Sequence, residues 1–175
     1  MSFEQLLGRI SNGSLRVVAE HWNEARAARR MPGWSDIRPA AIVRSLPIIW
    51  SWKYDRASDQ FVGRLAGEEI VHAFGENLRG RTAEEFFRDR GGETIIARHR
   101  RVVTEPCFFH GAGAVFAHAK RIVRGERIIL PLAEDGENGD GVIGATIYNV
   151  KDDAGNGPMR EGNLAVEEQG EFIAL

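Results

Sequence analysis

Ile48-Ile49-Trp50-Ser51-Trp52-Lys53-Tyr54-Asp55 is the stretch from which the rest of the chain is read. Ile48, Trp50, Trp52 and Tyr54 alternate with Ile49, Ser51, Lys53 and Asp55. That period predicts a strand with one strongly apolar face. Asp55 to Gln60 is polar and reads as a turn, and Phe61 to Ala66 returns as a second strand that Gly67 ends. Phe61, Gly63 and Leu65 then share one face and Val62, Arg64 and Ala66 the other, so the two strands pair as a hairpin.

Downstream the period becomes helical. Glu68 to Phe74 is a short helix stopped by Gly75, and Thr82 with Glu85 forms a capping box that opens a second one burying Phe86 and Phe87. A longer helix runs from about Glu93 to Thr104, its stripe of Ile95, Ile96, Val102 and Val103 facing inward with His99 among them, and Pro106 closes it. Strands then resume. Cys107 to Val123 carries one or two strands with a bulge near Gly111 and Gly113, followed by Arg127 to Ala133 and Val142 to Val150. Pro131 cannot donate to a ladder and belongs at a bulge or strand end. Two strands, a cluster of short helices and about three further strands describe an α+β fold, an antiparallel sheet with helices on one face.

Upstream, Phe3, Leu6, Leu7 and Ile10 share a helical face that Ser11-Asn12-Gly13 ends. In the next helix Leu15, Val18, Trp22 and Ala25 form a heptad-like stripe, suited to packing on the core or on the same stripe of a second subunit. A homodimer through these N-terminal helices is therefore expected. Residues 151–175 hold six acidic and two basic side chains behind a Gly/Asp/Asn-rich start, and read as a weakly ordered acidic tail in which Phe172, Ile173 and Leu175 are placed to dock. The division is thus 1–47 helices and linker, 48–150 core and 151–175 tail.

Composition narrows the function classes. The 175 residues suit one domain with an appendage, and 23 basic against 25 acidic residues, net −2, lack the basic excess of a protein that works by neutralising phosphates. No apolar stretch approaches the roughly 20 residues of a membrane helix. Nor does the start show the apolar core of a signal peptide, so a cytoplasmic protein is expected. Cys107 is the single cysteine, which excludes an intramolecular disulfide and a cysteine-based zinc site. No Gly-x-Ser-x-Gly elbow or phosphate-cradling loop occurs.

The order of elements resembles the PAS sensor fold, a five-stranded antiparallel sheet flanked by short helices. Asp36-Ile37, Pro39-Ala40-Ala41-Ile42-Val43-Arg44-Ser45-Leu46-Pro47 and Phe61-Val62-Gly63-Arg64-Leu65-Ala66-Gly67 resemble the signature of a proteobacterial family of small single-PAS proteins. So do Gly75 and Leu78-Arg79-Gly80, and, in the later strand and turn, Leu130-Pro131-Leu132 with Asp135-Gly136. The resemblance implies sensing or protein interaction without an attached effector domain: a small molecule held between sheet and helices, or docking alone.

Inward positions give the ligand-binding candidates Trp52, Leu65, Phe74, His99, Leu130 and Tyr148. No catalytic residue, metal site or cofactor is expected. Haem bound through His99 is the alternative, because haem-binding PAS relatives can take an axial histidine from that helix. Arg98, Arg100 and Arg101, with Arg88 and Arg90, make a local basic cluster, a solvated helix face or a dock for phosphate or an unknown acidic protein partner. The competing class is an enzyme of the cone-shaped isomerase or dehydratase type. A pocket ending in a buried carboxylate and a histidine would favour that class, and one lined by apolar side chains the sensor.

Overall fold

The computed structural model describes residues 2–88, 91–118, 121–149 and 168–175. Two helices, α1 (Ser2–Arg9) and α2 (Gly13–Arg26), lead into 3₁₀ turns at Trp34–Asp36 and Pro39–Ile48. The hairpin follows as β1 (Ile49–Asp55) and β2 (Gln60–Ala66), then the helices α3 (Glu68–Phe74), α4 (Ala83–Phe86) and α5 (Gly92–Thr104). The chain finishes with β3 (Cys107–His118), β4 (Arg121–Leu132), β5 (Gly141–Asn149) and β6 (Glu168–Ala174). All six strands pair antiparallel in the order β2-β1-β5-β4-β3-β6, an α+β architecture.

The short helices α3–α5 lie on one face of this sheet, as expected, and the N-terminal helical extension covers the other. On the first face Trp50, Trp52, Phe61, Phe109, Ile129 and Val142 pack under α3, α4 and α5. On the second, Ile49, Phe108, Ile128, Leu130 and Ile143 pack under α1, α2 and the Pro39–Ile48 turns. Consecutive strand residues point to opposite faces, so runs such as Ile128-Ile129-Leu130 are apolar throughout because both sides are roofed. The boundary expected at residue 47 is therefore no break in packing. Leu15, Val18 and Trp22 lie at most 1% exposed against the sheet of their own chain, so this stripe is already occupied within one molecule. The Trp22 ring meets Phe108 edge-on at 5.1 Å, and its Nε1 donates to the Pro131 carbonyl at 2.7 Å. That bond also accounts for Pro131. The β3–β4 ladder begins at Phe109↔Ile129, so Pro131 lies past its end, where no N–H is required.

The sheet has a sixth strand where five were expected. Part of the acidic tail forms β6 along the β3 edge, with Phe172 on the first face, Ile173 on the second, and Glu171 paired with Arg9 at 2.7 Å. Residues 151–167 of that tail lie outside the described residues. The three α5 arginines of the basic cluster are engaged within the chain, and Arg90 lies outside the described residues. Arg98 stacks over Phe109 at 4.3 Å and Arg101 over Phe172 at 4.0 Å, while Arg100 bonds Asp59 at 2.9 Å. Among the described residues no helix is long and apolar enough to cross a membrane.

Candidate functional site

The first face of the sheet encloses a cavity of about 40 Å³ between β1, β5 and the helices α3–α5. Its floor follows from the alternation in β1, which turns Trp50 and Trp52 inward together. Trp50 lies flat over the neighbouring strand because its cross-strand partner is Gly144; a Cβ there would run into the indole ring. The indole Nε1 donates to Thr146 Oγ1 at 2.9 Å, and Thr146 is itself buried. Arg127 and Tyr148 reach the same space from β4 and β5.

The roof is aromatic. Ile70 and Phe74 come from α3, Leu78 from the link after it, Phe86 and Phe87 from the α4 turn, and Ile95 and His99 from α5. That link docks on β2 at Gly63, where the Leu78 carbonyl occupies the place of a Cβ, and Gly63 N–H donates to the Arg81 carbonyl at 2.8 Å.

His99 is the polar centre of this roof, 3% exposed. It bonds back to the Ile95 carbonyl one turn earlier, while Nε2 has no partner among the described residues. The carbonyl must accept, so Nδ1 carries the proton and Nε2 is an unprotonated acceptor. Burial, with the charges of Arg98 and Arg127 adding to it, pushes the imidazole down to about 3, so the ring is neutral near neutrality. It stands edge-on to Trp50 at 5.1 Å and nearly parallel to Phe87 at 6.5 Å.

Trp52, Phe74, His99 and Tyr148 line the cavity; Leu65 and Leu130 do not. Both leucines belong to the second face. Leu65 is displaced by a bulge: Ser51 pairs with Leu65 but Trp52 with Gly63, so Arg64 is an extra residue and parity inverts after it. Leu130 belongs to a strand apolar on both faces, where alternation of hydrophobicity carries no orientation. Trp50 was legible from its shared parity with Trp52. Arg127 and Thr146 give no such signal, since a polar residue at an inward position looks like an outward one.

Among the described residues no aspartate, glutamate or cysteine lines the cavity. A buried carboxylate–imidazole pair exists, but on the second face: Glu126 Oε1 meets His110 Nε2 at 2.9 Å. That carboxylate also accepts from Ser11 N–H at 2.8 Å, Ser11 Oγ at 2.6 Å and Asn12 N–H at 2.9 Å. Burial alone would raise it, but the donors from Ser11, His110 and Asn12 outweigh burial and hold it below its ordinary value. It fastens the α1–α2 turn to β4. Cys107 is buried, and burial raises its thiol to about 11, which leaves an unreactive small hydrophobe. Among the described residues no three histidine, cysteine or acidic side chains converge as a metal site.

No curated protein and no solved structure matches the chain. A PAS-domain family model matches residues 10–147, from just after α1 into β5. The chain belongs to the PAS domain family, whose members are in general sensory and regulatory modules and not enzymes.

Proposed function

We propose that this protein is a regulatory sensor module that takes a small, mainly apolar ligand into the cavity between the sheet and α3–α5. The observation that carries the reading is the cavity itself, lined mainly by aromatic and aliphatic side chains and, among the described residues, by no carboxylate. A ligand acts by population shift, so it must bind one arrangement of the roof better than another. At about 40 Å³ the cavity holds only a few water-sized groups; a dry cavity of ~150 Å³ is the scale that admits a benzene ring. A ring-sized ligand therefore displaces Phe86 or Phe87, and that displacement is the signal passed to the surface. Output then leaves through an unidentified protein partner or a homodimer. With the Leu15–Trp22 stripe turned inward, a dimer through the N-terminal helices uses their outer surface, where Val17 of α2 is 43% exposed.

Native mass spectrometry of the full chain after gentle purification, followed by thermal melts with small apolar probes, tests this reading. The expected result is a co-purified small molecule or a probe that raises the melting temperature, since a ligand bound only by the folded state at 100 times its Kd adds about 2.7 kcal/mol. An empty protein that no apolar probe stabilises would sink it. Haem through His99 is less well supported: the imidazole is oriented as an axial ligand would be, but Trp50, Trp52, Phe86 and Phe87 where they stand leave no room for a macrocycle. A Soret band in the purified protein would reverse that preference.

A further inference from the structure

The ligand-binding reading above leaves open what the ligand must carry, and His99 supplies that information. Its Nδ1 proton is committed to the Ile95 carbonyl, one turn back along α5. Nε2, on the other side of a ring that lines the cavity, is a buried acceptor without a partner among the described residues. Any occupant that fills the cavity with carbon alone leaves that lone pair desolvated and unmet, which is the costly outcome for a buried polar atom. Nothing among the described residues donates to it. A ligand that fills the cavity must therefore bring the donor or lose affinity. The remaining surroundings specify the rest of the molecule. Trp50, Trp52, Phe74 and Phe87 present ring faces and edges, which favour a flat apolar body.

We infer that the cavity takes a small, flat, mostly apolar molecule bearing one O–H or N–H group, and that this group donates to Nε2 of His99. Phenol and toluene are the matched probes, differing in a hydroxyl against a methyl. Both are titrated into the isotopically labelled full chain by NMR, with resonances of Trp50, Phe87 and the His99 ring nitrogens as reporters, in the wild type and in His99→Phe.

Phenol is expected to bind at least about tenfold tighter than toluene in the wild type, and to move the Nε2 resonance where toluene does not. In His99→Phe the two probes are expected to bind alike. Should that variant fail to fold, the wild-type Nε2 resonance decides. Equal affinities, an unmoved Nε2 resonance in the phenol complex, or a preference that survives in His99→Phe overturns the inference and leaves the ligand-binding reading standing. If neither probe perturbs the cavity reporters, that reading falls and the inference with it.

Discussion

A histidine held neutral in an aromatic box leaves a mark on stability as well as on binding. The folded-state value of His99 is lowered to about 3, while the unfolded chain titrates near 6.5. Between those values the unfolded state binds a proton that the folded state refuses, so stability falls as pH is lowered through the window. The expected slope is about 1.4 kcal/mol per pH unit below roughly 6. His21, also lowered by burial and by Arg38, acts in the same direction. Lowered carboxylates such as Asp36, held down by donors from Gly33 and Arg29, add their losses only in stronger acid. Denaturant melts of wild type and His99→Leu at pH 7, 6 and 5 check this. The variant is expected to match or exceed wild-type stability at pH 7, since it removes an unmet buried acceptor, and to lose most of the acid slope. Parallel pH curves would show that His99 opens to solvent before it titrates.

At the scale of elements, the hairpin, the helical cluster and the later strands were all legible, because each carries its own period and punctuation. What the sequence hid is the effect of one element on another. The Arg64 bulge inverts the inward set of β2 beside Gly63, where the Leu78–Arg81 link docks on the strand, a contact made at a distance along the chain. β6 was obscured by its own edge role: charged residues such as Glu171 suit the edge of a sheet, and the acidic composition around them makes the segment read as a solvated tail. The candidate site was legible to the extent that parity held, at Trp52, Phe74, His99 and Tyr148, and failed at Leu65 and Leu130 for the reasons given. The two faces of the sheet are separable by experiment. Leu130, wholly buried under α2, is expected on replacement by Ala to cost about 2–5 kcal/mol, with phenol affinity unchanged below the melting transition. Leu78→Ala is expected to cost similar stability but to alter phenol binding, because Leu78 lines the cavity. Chemical denaturation and probe titration on both variants check the separation; a large loss of phenol affinity in Leu130→Ala would join the two faces into one site.

For the whole molecule the question is how an event on the first face reaches the helices on the second. β4 lies between them, and two consecutive residues divide its faces: Arg127 turns to the cavity, Glu126 to the α1–α2 turn. A shift of β4 imposed by a ligand at Arg127 is felt at a carboxylate that takes donors from Ser11, Asn12 and His110, while the side chain of Asn12 caps the start of α2. Beside the Trp22–Pro131 bond and apolar packing, one charged group thus ties the turn between the N-terminal helices to the strand that carries Arg127. Glu126→Gln keeps the shape but removes the charge and turns one acceptor into a donor facing Ser11 and Asn12. Hydrogen bonds to charged groups contribute about 1.5–3 kcal/mol each, so the variant is expected to lose about that much stability. The amides of Ser11 and Asn12 should then exchange hydrogen faster than those of β5. Phenol binding should alter exchange at the same two amides in the wild type and leave them unaffected in Glu126→Gln, although the cavity itself is untouched. Unchanged protection of the α1–α2 turn in the variant, or an undiminished response to phenol, would place the route from cavity to N-terminal helices elsewhere in the sheet.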